Sequence, residues 1–589
     1  MKLKIKYNPK IVKKSILWLL LVALVGWFGA TIVKSYESGH ILSDSKMLES
    51  EIPSGDYADY LKIQAGVPET RLDEFDLADY WQYLVFPTLS ENIYIDGTTG
   101  VASNDAVDFN KNYDFNGKKG YYTGDEGSVT WTFNVEKAGM YCVYVNYHLP
   151  EGGGSNAERA VKVNGEIPFE SLSTITFSRV WKDKEAIKQD INDNDLKPAQ
   201  QEIFSERSMY LHDDTGYISN PYLIYFKEGE NTITFESLRE NLVVFGIELT
   251  EQVTTDSYED YIAEYANEEK VKDFMQEIQA QDSFERSSPT LYPTADRTSP
   301  LNYPSHPVKT KYNSIGGSRW STPGDWVAWE VEVPKSGLYQ ISFRAKQDLA
   351  RGLFSTRKVL VNGEVPFKEA NNARFYYGSK YDVVTIGDQN GEAFYFYLEE
   401  GKNSIALQAT IGDYGELISL VQGVVDDLNE LYLKIIKRTT ANPDEYQEYN
   451  LYGDNPSISN DEKGRNMVEI FRDSAITLNE VSERITKLTG EKSSLNNSLD
   501  KLVLQIGGKV EKEGKTVDVN GFASKPWNVT KELANFKTNL SALGTWILDI
   551  QNQSLTIEKM WVHSDDAKLP NANANWFSSF WFDARGFVL

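Results

Sequence analysis

Cysteine is nearly absent from this chain. One residue, Cys142, among 589 excludes an intrachain disulfide framework and any zinc site built on paired thiolates. Its place within Met140-Tyr141-Cys142-Val143-Tyr144, in a run that reads as a strand, makes it a packing residue. Histidine is scarce as well. The five (His40, His148, His212, His306, His563) are scattered, with no His-Glu-x-x-His or other ligand spacing. The sequence has no Gly-x-Ser-x-Gly elbow and no Walker loop, and no His partner beside Cys142 to activate a thiol. Carboxylates abound, but a glycosidase pair is defined by separation in space, so the sequence singles none out. A non-catalytic protein is the expectation.

Positive charge is also short. Sixty lysines and arginines face 86 acids, a net charge of −26, which argues against a nucleic-acid partner because phosphate binding needs a basic face. Long apolar runs are missing with one exception. After six lysines in residues 1–14, Ser15 to Val33 gives 19 residues without a charge, enough to cross a bilayer as a helix. The lysines hold the amino terminus in the cytoplasm. The run is longer than the core of a cleaved signal peptide and no Ala-x-Ala site follows, so it reads as an uncleaved signal anchor. The expected location is the cell membrane, single-pass, with the bulk of the chain extracellular.

What the chain does have is a repeat. Residues 131–169 and 329–367 align at a constant offset of 198 without a gap, with 14 of 39 positions identical. The shared positions include Trp131/Trp329, Gly139/Gly337, Tyr141/Tyr339, Arg159/Arg357 and Asn164-Gly165-Glu166 against Asn362-Gly363-Glu364, each copy closing on Pro-Phe. One structural unit is used twice. In the second copy Trp329, Val331 and Val333 alternate with Glu330 and Glu332, the period of a strand with one buried face. The Asn-Gly pairs mark hairpins because both residues tolerate φ > 0. Short strands between Gly-containing turns predict two antiparallel β-sandwiches.

The expected organisation is multidomain: a basic tail at 1–14, the transmembrane anchor at 15–33, a juxtamembrane stalk at 34–88, a first sandwich at 89–252, a linker helix at 253–281, a second sandwich at 282–425 closing at Leu417–Val425, a helical bundle at 426–562 and an aromatic tail at 563–589. Apolar stripes at helical spacing carry the bundle, for example Ile470, Phe471, Leu478, Val481 and Ile485.

Over roughly 89–252 and 282–425 the chain resembles the galactose-binding-like (jelly-roll) carbohydrate-binding modules, in which a strand rich in Trp and Val precedes a Gly-Tyr-Tyr/Leu turn and a Val-Asn-Gly hairpin follows. The resemblance implies sugar binding. Modules of that kind often hold a structural calcium, and the acidic stretch Asp190-Ile191-Asn192-Asp193-Asn194-Asp195 begins like a calcium loop, but it has Asp where the sixth position needs Gly and Gln201 at the twelfth; an Asx-rich turn is the expectation, and no other cofactor is implied. The order of anchor, two sandwiches, helical segment and the aromatic run Asn575–Asp583 also resembles the amino-terminal region of extracellular solute-binding proteins of sugar ABC importers. That would add an importer permease as a partner. The chain departs from that family in lacking a cysteine to acylate, and no two-lobed binding domain follows the run within this sequence.

Sugars offer flat apolar faces rimmed by hydroxyls, so a site needs an aromatic platform beside amide, carboxylate or guanidinium groups. The candidates are Trp320 beside Arg319, Trp326 beside Asp325, and Arg374, Tyr376, Tyr377 and Tyr381 in the second sandwich, with Tyr121 and Tyr122 in the first. Glycans or oligosaccharides are the expected ligands. The alternatives are a surface structural, assembly or adhesion protein and a surface glycosidase.

Overall fold

The computed structural model describes residues 55–588 apart from 75–76, 445, 448, 450, 452–463 and 513–514. The expected signal anchor and the first part of the stalk lie outside the described residues. Among those described, no helix is long and apolar enough to cross a membrane.

The first module opens with helix α1 (Gly55–Gln64) and is carried by β1 (Ile93–Asp96), β2 (Asn110–Phe115), β3 (Lys118–Thr123), β4 (Ser128–Val135), β5 (Gly139–His148), β6 (Ala157–Val163), β7 (Glu206–Tyr210), β8 (Leu223–Phe226), β9 (Gly229–Arg239) and β10 (Leu242–Thr250). One sheet runs β7-β5-β10-β3-β2, with β1 also on β10 and β8 also on β5; the facing sheet centres on β4-β9-β6. Tyr141, Val143, Val145 and Tyr147 of β5 alternate into the shared core with Trp131 of β4 and Phe235 of β9, as period-2 patterning requires.

The second module repeats this plan with helix α2 (Tyr258–Glu264), β11 (Met275–Gln279), β12 (Trp326–Val333), β13 (Gly337–Lys346), β14 (Phe354–Val361) and β15 (Gly401–Thr410). Equivalent side chains make equivalent bonds. The indole of Trp131 donates to the Gly97 carbonyl at 2.8 Å and that of Trp329 to Ala280 at 3.0 Å. The hydroxyls of Tyr141 and Tyr339 donate to the carbonyls of Lys137 and Lys335. Asn164 and Asn362 both adopt φ 53° at the turn their Asn-Gly pairs form.

The repeat is larger than the sequence alignment suggests. The hydroxyls of Tyr57 and Tyr60 on α1 accept from the backbone amides of Leu223 and Tyr225, each at 2.8 Å. Tyr258 and Tyr261 on α2 accept from Tyr395 and Tyr397 at 3.0 and 2.9 Å. Tyr57 packs on Phe169 at 4.6 Å between centroids and Tyr258 on Phe367 at 4.9 Å. Part of the expected stalk and part of the expected linker are thus the same element of the repeated unit. The linker is helical only over Tyr258–Glu264; Met275–Gln279 is a strand, because its alternation buries Ile278 in the sandwich.

The second sandwich does not close at Leu417–Val425. That stretch begins helix α3 (Gly415–Thr439), which is followed by α4 (Met467–Thr489), α5 (Ser494–Ile506) and α6 (Leu533–Ile550). The four helices enclose their own core, with Leu428, Leu478, Leu499 and Leu543 fully buried. Only then does the chain return, as β16 (Leu555–His563), which lies between β11 and β13. The bundle is therefore an insertion between the last two strands of the sandwich. In the first module the same two strands, β9 and β10, are joined by Glu240 and Asn241 alone.

A buried arginine marks this joint in both copies. Arg159 donates to the carbonyls of Glu158, Arg239 and Glu240 at 2.8–3.0 Å. Arg357 donates to those of Thr356, Gln553 and Trp320 at 2.7–3.2 Å. Glu240 and Gln553 both sit at the threshold of the closing strand. Each guanidinium is fully buried, and burial, opposed by Asp325 nearby, pushes Arg357 down to about 9.

After β16 the chain covers one face of the second module and ends in helix α7 (Trp576–Val588), on which Trp576, Phe577, Phe580 and Trp581 are each more than half exposed.

Two outcomes follow. Replacing Arg357 by Leu leaves buried carbonyls without their donor and lowers stability by about 2–4 kcal/mol, read by urea unfolding, with the loss of hydrogen-exchange protection concentrated at 555–563. Separately, burial holds the His563 imidazole below its ordinary value of 6.5, opposed by the Ser564 carbonyl. The unfolded chain therefore binds this proton more readily, and stability falls as pH drops through about 6.5 toward the lower folded value. His563→Gln should flatten that part of the pH–stability curve.

Candidate functional site

The two modules present the same sheet face differently. In the first, the outward side chains of β1, β5, β7 and β10 form an open surface. Tyr94, on β1, is 57% exposed, and its phenol end lies over Gly246 of β10: a Cβ on Gly246 would stand 2.6 Å from the ring. The glycine makes the seat for the aromatic side chain. Around it stand Glu248, which accepts from Asn146 at 3.2 Å and Asn92 at 3.5 Å, and Tyr144, whose hydroxyl donates to Ser208 at 2.6 Å. Lys118 pairs with Glu206 and stands 5.0 Å above the Phe245 ring. Partial burial, together with the carboxylates of Asp96 and Glu248, raises the Tyr94 phenol above its usual range, so it is a neutral ring at any physiological pH. Farther along the sheet, Tyr113 stacks on Tyr122 at 5.5 Å and Phe115 on His148 at 3.8 Å. The result is an aromatic platform with amide, hydroxyl and carboxylate groups at its rim.

In the second module this face is closed. Arg344, at the position of Asn146, donates to Glu558 and Asn302 at 2.8 Å and to Ser299 at 3.0 Å. Its Nε donates to the Ala572 carbonyl at 2.8 Å, and Asn573 reaches the Tyr381 carbonyl at 2.7 Å, so the segment after β16 lies across the sheet. Burial raises the Glu558 carboxyl against the pull of Arg344. Where the first module has Tyr94 over Gly246, the second has Glu277 paired with Lys559 at 2.8 Å and receiving the Trp561 indole at 3.0 Å.

The candidate residues therefore scatter. Trp320 is wholly buried, its indole donating to the Asp325 carbonyl at 2.9 Å with the Arg357 guanidinium 4.4 Å from the ring; it has no face open to a ligand. Tyr381 is buried and donates to Asp296 at 2.8 Å. Tyr121 is buried edge-on to Trp131. Tyr122 is half-buried in the aromatic row of the open face. Arg374 pairs with Asp413 and lies 4.8 Å from the Phe354 ring, which Tyr376 also meets at 5.4 Å; both stand at the root of the bundle. Tyr377 is 39% exposed and Trp326 half-buried at the head of β12. Tyr94 was missed because it lies in Ile-Tyr-Ile-Asp, an ordinary strand, and only the distant Gly246 shows why its ring can lie on the sheet.

Among the described residues no three His, Cys, Asp or Glu side chains converge as metal ligands. The acidic turn 190–195 does not fit a calcium: Asp193 and Asp195 pair with Lys309 and Lys311, and Asp190 caps the amides of Asn192 and Asn194.

No family model matches this chain, and none of the curated proteins does. Solved structures do match. A family 35 carbohydrate-binding module from Clostridium thermocellum aligns at 13% identity over 27% of this chain and 98% of its own, with a TM-score of 0.17. The CBM35 of Cellvibrio japonicus Abf62 aligns at 11% over 28% and 95%, TM-score 0.18. A Podospora anserina GH26-CBM35 β-(1,4)-mannanase aligns at 10% over 31% of this chain but only 36% of the enzyme, TM-score 0.18. The matches span about one module's length, and at these scores they carry no argument about ligand or activity.

If Gly246 exists to seat Tyr94, Gly246→Val should fold but displace the ring. The expected result is a thermal midpoint lowered by a few degrees, roughly 1 kcal/mol in a β-rich domain, with a changed near-ultraviolet tyrosine signal that Tyr94→Ala alone also produces.

Proposed function

We propose that the protein is a non-catalytic, extracellular carbohydrate-binding protein, and that the open face of the first module is its glycan site. The observation that carries this reading is Tyr94, an exposed ring fixed over Gly246 and ringed by Asn92, Asn146, Glu248 and Tyr144. A pyranose can lay its apolar face on such a ring while its hydroxyls exchange hydrogen bonds with the rim. The binding face is solvent-open, which suits a chain of sugars running across it. The finer reading, in which the protein serves an ABC-type sugar importer from the cell membrane, rests on the order of a lysine-flanked apolar segment, two sandwiches and helices in the sequence.

The test is retention of the chain on a panel of immobilised neutral polysaccharides, with released reducing sugar measured alongside. Tyr94→Ala should weaken retention on the polysaccharide bound by about tenfold, the equivalent of roughly 1.4 kcal/mol, with no sugar released by either form. Binding that survives Tyr94→Ala but is lost on joint replacement of Trp326, Tyr376 and Tyr377 would move the site to the second module. Retention on no polysaccharide would favour the assembly or adhesion role instead.

A further inference from the structure

The two modules are joined by more than a linker. Two short strands of the first module, Trp181–Asp183 and Gln200–Glu202, extend a sheet of the second, with Trp181 paired to Arg286. The turn between them hooks onto the second module's segment 309–312. Asp195 accepts from the Tyr312 amide at 2.8 Å and from Lys311 at 3.1 Å, and Asn194 accepts from the Thr310 amide at 2.9 Å. This hook carries Lys197 to the mouth of a cleft of about 530 Å³ whose remaining lining comes from the second module, including Tyr292, Asp296, Arg297, Tyr312 and Arg319.

The charge in that cleft is unusual for the chain. The Lys197 ammonium stands 3.9 Å from the centroid of the Tyr292 ring and the Arg319 guanidinium 4.2 Å from the same centroid. Two positive charges are thus within about 8 Å of each other, a repulsion of about 0.5–2 kcal/mol at effective dielectrics of 80 to 20. Among the described residues neither has a carboxylate within ion-pair distance. Asp296 does not neutralise them: its carboxylate accepts from Lys346 at 2.9 Å, Tyr381 at 2.8 Å and the Thr298 amide at 2.7 Å. Arg297, the third cation, spends one donor on the Val308 carbonyl at 2.8 Å. The hydroxyls of Thr298, Ser318 and Tyr312 complete a lining rich in donors. In a chain of net charge −26, three cations around one cleft with a single, already engaged carboxylate are poised for an anion, and a cleft of this size takes a sugar unit or two.

We infer that this cleft is a second ligand site, separate from the open face of the first module, that binds an oxyanion-bearing saccharide through Lys197 and Arg319. Because the two cations come from different modules, the site exists only when the modules are docked, and its ligand ties them together. A carboxylate or a sulfate supplies the same recognition chemistry, and the probes separate them.

The experiment is calorimetric titration of the full chain with trigalacturonate, with a sulfated heparin tetrasaccharide and with neutral maltotriose. One or both charged probes should bind, and raising sodium chloride from about 50 to 500 mM should weaken that binding by about tenfold, since screening shortens the reach of exposed charges. Lys197→Gln and Arg319→Gln should each weaken it by about tenfold, whereas Tyr94→Ala should leave it unchanged. Both cations are solvent-exposed, so neither replacement should move the thermal midpoint, and an unmoved midpoint certifies that a lost signal is lost binding. The inference is overturned if neither charged probe binds at millimolar concentration, if maltotriose binds this site equally well, or if the two replacements leave charged-probe binding intact. Loss of charged-probe binding in Tyr94→Ala would also overturn it, by assigning that ligand to the first module. Neutral-polysaccharide retention by the same Tyr94→Ala protein is read separately, so the two sites stand or fall independently.

Discussion

The guanidinium of Arg357 holds this architecture together at the point where it could most easily come apart. A sandwich whose closing strand arrives about 145 residues after its neighbour must recover that strand across a large loop, and loop closure costs entropy that grows with length, though slowly. Arg357 gathers carbonyls from β14, from the Trp320 turn and from the residue pair that leads into β16. Its neighbours add a second fastening, with the Thr356 amide donating to the Gln553 side-chain oxygen and the Ser355 hydroxyl to the Ser554 carbonyl. A buried charge with carbonyls for partners is costly in itself. It is compatible with the fold because those carbonyls would otherwise be the unpaired groups. Arg159 does the same for a two-residue connection, so the device works regardless of what the connection contains.

From that shared frame the modules diverge on one face. Gly246 and Lys559 occupy matching places on the closing strands, and the choice between them decides what the sheet can present. Glycine lets a tyrosine lie against the backbone and leaves a platform facing solvent. Lysine brings a partner, Glu277, and a charged lattice that includes Arg344 and Glu558. The Arg344–Glu558 pair is buried, and the Arg344 Nε, donating to the Ala572 carbonyl, with Asn573 donating to the Tyr381 carbonyl, fixes the segment carrying Ala572 and Asn573 across the sheet. The second module has exchanged an open surface for a docking surface to its own chain.

The sandwiches were legible because their central strands, Trp131–Val135 and Trp329–Val333, alternate cleanly and because Asn-Gly turns carry their conformation in the residue type. The tyrosine helices were not, although Tyr57-Ala58-Asp59-Tyr60 and Tyr258-Glu259-Asp260-Tyr261 stand 201 residues apart: the offset differs by three from that of the strands, and a four-residue match has little weight until the hydroxyl-to-amide bonds are seen. The closing strand β16 escaped for another reason. Leu555–His563 is buried on both faces, so it lacks alternation, and its partners lie more than 200 residues back. Helical periodicity in 253–281 misled because Tyr, Val and Phe at such spacing serve a short helix and a strand alike. The aromatic candidates failed to assemble into one site for a similar reason: tryptophan beside arginine describes a buried cation–π pair, Trp320 with Arg357, as well as it describes a sugar platform.

The bundle inherits its footing from the sandwich. Leu353 and Phe354 belong by sequence to the second module's strand region, yet they sit in the helical core, with Phe354 stacked on Tyr414 at 4.7 Å just before α3 begins. Arg374 and Asp413 lock the same corner. The Phe-Tyr-Tyr run that looked like a ligand surface is in part the plinth on which an insertion stands, because an inserted domain exposes apolar residues at its root unless its host offers apolar and ion-pairing partners there. That requirement falls on β14 and on Ala373–Tyr376, the strands nearest the joint, and the first module, which hosts no insertion, has no such requirement. The insertion thus shapes one sheet of the second module, while the Lys559–Glu277 and Arg344–Glu558 pairs shape the other.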